Sequence, residues 1–151
     1  MLREHIIWAG AKVVEEHVER IRAMLNDFPE TNTFVEGVEF SDNDIKKALL
    51  WTLKRFNQKP PVTTTYTEDN MPFLYCWYIG TVAELLRQLI VKESVVPAFA
   101  SGAVSHSTRK PYLEQLLQIY ESRYNEMASG IKHVLNLAGG YSNETYEYGV
   151  W

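Results

Sequence analysis

An uncharged, strongly apolar stretch runs from Asn70 to Ala83 and leaves few options for the fold. Its apolar residues cover every face of a helix, and charge returns only at Glu84 and Arg87. A helix that is apolar all round is normally buried on all sides. We therefore expect this segment to form the central helix of a mainly α fold. The stretch is about 14 residues long, shorter than the ~20 residues that cross a bilayer, so we expect no membrane partner.

The chain of 151 residues, 46% of them hydrophobic, is long enough to form one domain around this helix. We expect a single helical domain over 1–151, with an N-terminal helix at 2–28, a core at 41–137 and an extended arm at 138–151. No secretory signal is recognisable, and we expect a protein that works in solution. The single cysteine, Cys76, excludes an intrachain disulfide framework, and we expect it to be a buried core residue.

Three other segments have the apolar spacing of amphipathic helices, which makes four main helices in all. Their ends are predicted from Pro, Gly and capping residues. The predicted helices are 2–28, ended by Pro29; about Asp42 to Asn57, with Ser41 as N-cap; the central helix, capped by Asp69 or Asn70 with Pro72 in its first turn; and a helix from near Pro111 to Ala138.

The connections are expected to be extended loops. Residues 29–40 form an acidic loop that could include a short strand at 34–38, and Pro60-Pro61 precedes an extended, Thr-rich segment. Between Val95 and Ser107 we expect either a short β-hairpin, pairing 98–100 with 103–105, or an irregular loop.

No set of residues has the spacing of a catalytic or metal-binding motif. The four histidines do not form a His-Glu-x-x-His or Glu-x-x-His pattern, and no phosphate-binding glycine loop or nucleophile elbow is present. His17 lies on the apolar stripe of the first helix, where we expect a packed histidine with one satisfied nitrogen. We therefore expect no catalytic residue, no metal and no cofactor.

A group of basic residues on the second helix is the first candidate contact surface. Its members are Lys46, Lys47, Lys54 and Arg55. Three explanations remain open: a solvated helix face, a nucleic-acid contact, or a salt-bridged contact with the acidic 30–44 segment of a neighbouring subunit. The formal net charge of −4 disfavours a protein that grips phosphates.

An aromatic C-terminal arm is the second candidate surface. Its rings belong to Tyr141, Tyr146, Tyr148 and Trp151, and the spacing by two puts Tyr146 and Tyr148 on one face of a strand. Such an arm is costly to expose. It either packs on its own helices or binds a sheet edge or groove of a neighbour.

The order of segments resembles the head-to-tail connector, or neck adaptor, proteins of tailed-phage virions. The similarity is carried by residue types over about Ser41 to Tyr148, and the long N-terminal helix has no counterpart in the pattern. The residues concerned are Ser41-Asp42-Asn43-Asp44-Ile45, Ala48-Leu49, Asn57, Pro60-Pro61, Pro72, Lys132, Asn136, Gly139-Gly140, Tyr141-Ser142 and Tyr146.

The resemblance implies a helical adaptor that forms a homo-oligomeric ring, typically of twelve copies. The ring would join the portal protein to a tail or stopper protein and let DNA pass through as cargo, in a virion assembled in the host cytoplasm. It implies no catalytic residue. Our leading hypothesis is therefore a non-enzymatic virion structural protein. The alternatives are a small helical regulatory or nucleic-acid-binding protein that uses the basic second helix, and an enzyme with a carboxylate site inside a helical bundle.

Overall fold

The fold consists of four helices joined by loops. In a computed structural model, residues 2–30, 37–62, 64–95 and 103–139 are described. The predicted mainly α fold with four main helices is confirmed, and the described residues contain no strand. The helices are α1 Leu2–Leu25, α2 Asp42–Gln58, α3 Leu74–Val95 and α4 Ala103–Gly139.

Helix α3 is the centre of the fold, as its sequence predicts, because it packs against each of the other three helices. Its middle turns are buried on every side, whereas Leu74, Tyr75 and Val91 near its ends are exposed. The apolar core joins α3 to residues of all the other helices. Its α3 members are Cys76, Trp77, Tyr78, Ile79, Val82, Leu85, Leu86 and Leu89.

A glycine permits the close packing of three helices at the middle of the core. A Cβ atom at Gly80 would lie 2.5 Å from Cδ2 of Tyr124 on α4 and 2.6 Å from Cγ2 of Thr52 on α2. No side chain larger than hydrogen fits between those atoms without displacing them. The small residue at position 80 therefore sets how closely α2 and α4 approach α3.

Helix α1 packs on α2 and α3, and its buried apolar side chains Val18 and Ile21 belong to the core. It ends three residues before the predicted Phe28. Asn26 adopts a positive φ of 53°, the Asn26 N–H donates to the Ala23 carbonyl, and the Asp27 N–H donates to the Arg22 carbonyl. These two bonds close the C-terminal motif that commonly ends a helix at a left-handed residue.

Helix α2 begins as predicted at the Ser41 cap. The Asp44 N–H donates to Ser41 Oγ at 3.1 Å, and the Ser41 N–H donates to Asp44 Oδ2 at 3.2 Å. This reciprocal pair satisfies two N–H groups that the first turn would otherwise leave free. The Ser41 hydrogen bonds lower the pKa of Asp44 below its usual range.

The predicted start of α3 is wrong. The first helical bond runs from the Trp77 N–H to the Phe73 carbonyl, so Pro72 precedes the helix. Asn70 instead closes a local turn, accepting the Thr67 N–H at 2.6 Å and donating its own N–H to the Thr67 carbonyl. Asn and Asp side chains stabilise turns as readily as helix caps, and the sequence pattern did not separate the two.

The predicted start of α4 is wrong as well. The helix begins at Ala103 and continues through Pro111. Residues 103–107 are therefore helical and form neither the second strand of the possible hairpin nor part of an irregular loop. Proline lacks an N–H donor but is tolerated here with its ring exposed to solvent. The preceding turn is held by Arg109, which forms ion pairs with Glu39 and Glu93.

Several predicted features lie outside the described residues. They are most of the short strand at 34–38, the first hairpin strand at 98–100, and the arm from residue 140 onward, including Tyr141, Tyr146, Tyr148 and Trp151. Ala138, predicted to start the arm, belongs to α4. None of the helices in the described ranges combines the length and apolarity needed to cross a membrane.

Candidate functional site

The strongest candidate site is the outward side of α2, which combines positive charge with exposed apolar side chains. Leu50 is 42% exposed and Trp51 is 58% exposed. Lys46, Lys47 and Lys54 are also exposed, and none of them forms an ion pair with another described residue. We call these five residues the α2 outer face.

The helical period explains why these residues share a side. The opposite side of α2 faces the core with Ile45, Ala48, Leu49, Leu53 and Phe56. Lys47, Leu50, Trp51 and Lys54 recur at intervals of three and four residues, so they lie along one stripe. The sequence prediction identified the lysines but missed Leu50 and Trp51. The sequence signal that could have identified Leu50 and Trp51 is their position between Lys47 and Lys54, at the spacing that puts residues on one side of a helix.

Arg55, predicted to belong to the same basic face, is used inside the molecule. Its guanidinium pairs with Glu121 on α4 and lies 4.7 Å from the centre of the Tyr124 ring. The hydrogen bond that Arg55 donates to the Glu121 carboxylate raises the pKa of Arg55. The structure therefore separates Arg55 from the three exposed lysines.

Glu121 is the centre of an ion-pair network across three helices. In addition to Arg55 on α2, it binds Arg87 on α3 at 2.9 Å, and Arg87 also pairs with Glu84 at 2.6 Å. Burial alone would raise the pKa of Glu121, but the bonds and charges of the two arginines lower it below its usual range. The network ties α2, α3 and α4 together on one side of the bundle.

Three acids of the 30–44 segment, which includes the first turn of α2, are also engaged within the chain. Glu39 pairs with Arg109 at 2.7 Å, Asp42 pairs with Arg22 at 2.5 Å, and Asp44 completes the α2 cap. These three carboxylates already have partners. The interpretation in which this segment pairs with the basic helix of a neighbouring subunit is therefore weakened, because most of the acids it needs are already engaged.

An apolar groove lies between the end of α1 and the α3–α4 pair, with a volume of about 420 Å³. Its walls include Met24, Phe40, Leu86, Leu113 and Leu116. Asp27, Glu39 and Arg109 form its polar edge. Asp27 accepts the backbone N–H groups of Glu39 and Phe40, so this edge is fixed by hydrogen bonds.

A buried lysine lies where α4 meets the loop after α2. Lys132 is only 2% exposed, its Nζ donates to the Pro61 carbonyl at 3.3 Å, and it lies 4.7 Å from the centre of the Phe56 ring. Burial lowers the pKa of Lys132. A shallow cavity of about 350 Å³ next to the loop is lined by Lys59, Pro60, Pro61, Ser129, His133 and Asn136. This contact places the end of α4 beside the end of α2.

His17 packs in the core as the sequence predicts. Its Nδ1 hydrogen-bonds to the Tyr78 hydroxyl at 2.5 Å, and its ring lies edge-on to Trp77. Its Nε2 is buried and has no hydrogen-bond partner in the described part of the chain. Burial lowers the pKa of His17 and raises that of Tyr78.

The remaining reactive groups are placed for packing. Cys76 is buried, and desolvation raises the pKa of its thiol to about 11, which keeps it protonated near neutrality. Burial likewise raises the pKa of Tyr124 to about 12. Among the described side chains, no three His, Cys, Asp or Glu residues come together in a way that could hold a metal ion.

No family model, no curated protein and no solved structure matches the chain.

Proposed function

We propose that this protein is a structural component of a tailed-phage virion, a head-to-tail connector that assembles into a ring and joins the portal to the tail. Its work would be mechanical and not enzymatic. The proposal combines the resemblance of the segment order from Ser41 to Tyr148 with the character of the molecular surface. The observation that carries it is the exposure of large apolar side chains outside a core that is already closed.

The α2 outer face supplies the clearest part of that surface. A tryptophan that is more than half exposed between lysines is unusual for a surface that only meets water, because aromatic residues are enriched where proteins bind one another. Its neighbour Leu50 extends the apolar area. A subunit contact would remove both from solvent.

Helix α4 presents a second set of exposed apolar residues. Its 37 residues span about 55 Å, longer than the other three helices. Tyr112 is exposed in the first third of α4, Ile119 near its middle, and Val134 and Leu137 near its C-terminal end. A helix with apolar residues on an outward side is suited to packing against another subunit.

The charge balance fits a channel for DNA. A conduit must not hold phosphates tightly, because each phosphate contact releases counterions and strengthens binding. A net charge of −4 satisfies that requirement for the subunit as a whole.

The test is the mass of the particle that the purified protein forms. Native mass spectrometry and sedimentation velocity across roughly a hundredfold range of concentration should detect a closed oligomer, and negative-stain images should show rings. The family resemblance implies twelve copies. A particle that remains a monomer at every concentration, and that does not associate with a portal protein, would contradict the proposal.

A second candidate is a nucleic-acid-binding protein that uses α2. The observation that favours it is the set of three exposed lysines without ion pairs in the described structure. Titration of duplex DNA at two salt concentrations discriminates the candidates. Tight binding with a steep salt dependence, lost in Lys47→Ala/Lys54→Ala, would favour this second function. Weak binding that the double substitution leaves unchanged would exclude it.

A further inference from the structure

The α2 outer face has the composition of a binding site for an acidic, aromatic peptide. Its lysines Lys47 and Lys54 lie seven residues apart, about 10 Å along the helix axis, with Leu50 and Trp51 between them. Lysine attracts carboxylates, and Trp51 offers a flat apolar surface for stacking. The partner therefore needs an acid and an aromatic ring on the same side, close enough together to reach a lysine and Trp51.

The acids nearest in the sequence do not meet this need. Glu39, Asp42 and Asp44 are engaged by Arg109, Arg22 and the α2 cap respectively. Using them to bind a neighbour would first break contacts that hold their own subunit together.

The segment 140–151 has the acidic and aromatic composition that a partner of the α2 outer face needs. It contains Glu144 and Glu147, no lysine or arginine, and four aromatic residues. In an extended chain alternate residues share one side, so Glu144, Tyr146 and Tyr148 lie on one side and Glu147 on the other. Glu144 and Tyr146 are then about 7 Å apart, close to the roughly 6 Å along the helix axis between Lys47 and Trp51.

The path of the chain is compatible with binding between copies. The contact of Lys132 with Pro61 places the last turns of α4 beside the C-terminal end of α2. Twelve residues beyond α4 reach at most about 40 Å when extended. That length is enough to leave one subunit and cover the α2 outer face of the next.

We propose that the α2 outer face binds residues 140–151 of a second copy of this chain. Glu144 pairs with Lys47, the ring of Tyr146 on the same side of the arm packs on Trp51, and the negative charge of Glu147 adds to the attraction of the lysines. The inference rests on the proposed ring assembly. Each copy offers one arm and one face at different places, so the contact is heterologous and continues from copy to copy until a ring closes.

A mixing experiment tests the proposal. One variant lacks residues 140–151, and the other carries Lys47→Glu, Trp51→Ala and Lys54→Glu. Each variant alone is expected to lose the ring, since every contact needs one arm and one face. An equimolar mixture is expected to form a 1:1 complex, because the intact arm of one variant can bind the intact face of the other. Sedimentation velocity and native mass spectrometry measure the masses, and circular dichroism confirms that both variants are folded.

Charge exchange provides a second measurement that does not depend on a deletion. Glu144→Lys/Glu147→Lys in one copy and Lys47→Glu/Lys54→Glu in the other should each weaken association with wild-type chains about tenfold or more. Paired with each other, the two should recover most of that loss. Arg123→Glu, which reverses an exposed charge on α4, is the matched control and should leave the arm contact within about threefold of wild type.

The outcomes separate this inference from the proposed function. If the wild type forms rings and both variants still do, the assembly stands and the arm contact is wrong. If the wild type is a monomer at every concentration, the ring itself is wrong. If the mixture remains two monomers while the difference in fluorescence between dilute wild type and Trp51→Phe shows Trp51 covered, the arm binds its own chain and the proposed contact between copies is overturned.

Discussion

At the scale of single residues, His17 is the group whose burial has the most direct consequence for stability. Its Nδ1 is bonded to Tyr78, and its ring packs against Trp77. The carboxylates of Glu16, Glu68 and Asp69 and the backbone of Glu68 partly oppose the effect of burial, but the pKa of His17 remains below its usual value of 6.5. Protonation would place a charged ring in a buried site where Nε2 makes no well-aligned hydrogen bond to the described residues.

The expected result is acid sensitivity of the fold. Because the folded pKa is lowered, the unfolded chain binds the proton more readily, so stability is full above about pH 6.5 and falls as the pH drops below it. Urea unfolding at intervals between pH 7.5 and 5 should show this loss for the wild type and a smaller one for His17→Phe. His133→Gln, which changes an exposed histidine, should keep the wild-type profile. An unchanged pH dependence in His17→Phe would show that other groups cause it.

At the scale of helices, replacing glycine by alanine is expected to change stability in opposite directions at two positions, although both lie in helix interiors. Gly80 on α3 is enclosed by Tyr124 and Thr52, whereas nothing lies within 4 Å of a Cβ built at Gly130 on α4. Glycine is unfavourable in a helix, by about 1 kcal/mol relative to alanine. The gain from replacing it appears only where there is room for the methyl group.

Gly130→Ala should therefore stabilise the protein by about 0.5–1 kcal/mol, and Gly80→Ala should destabilise it by about 1–3 kcal/mol because the new methyl group forces α3 away from its neighbours. The free energy of unfolding in guanidinium chloride measures both. Equal effects of the two substitutions would mean that the helices are not packed as closely around Gly80 as the structure describes.

At the scale of the whole molecule, the four helices are not held with equal strength. Helix α3 is buried among the other three, and α2, α3 and α4 share the Glu121 network. From Val14 to Leu25, the part of α1 whose side chains are described, only His17, Val18 and Ile21 are buried. Elements with few buried contacts open more readily than the rest of a fold.

Amide hydrogen exchange should accordingly show residues 17–24 of α1 exchanging faster than residues 78–88 of α3. Ile21→Ala, which removes a fully buried side chain, should increase exchange in α1 more than in α3. Val91→Ala on the exposed side of α3 should change neither. Uniform protection of both helices would instead indicate that α1 unfolds only with the whole domain.

Much of the helical framework could be predicted from local pattern. The period of apolar residues located three of the helices, and the uncharged apolar stretch located α3. Ser41 marked the start of α2 because a cap depends on residues only three apart. The burial of the central helix followed from its lack of charge. The starts of α3 and α4 were wrong because Asn70 and Pro111 are each compatible with a turn, a cap or a helix interior, and contacts such as those of Arg109 decide between them.

Which basic residue of α2 meets solvent and which pairs with another helix was decided only by packing. Lys54 and Arg55 are adjacent and similar in charge, yet Arg55 faces Glu121, 66 positions away, while Lys54 is exposed. The His17–Tyr78 bond joins residues 61 positions apart, and the groove beside α1 exists only where three helices meet. Periodicity carries the information for a helix because its bonds are local. The residues that each face contacts are distant in the chain, and no local pattern identifies them.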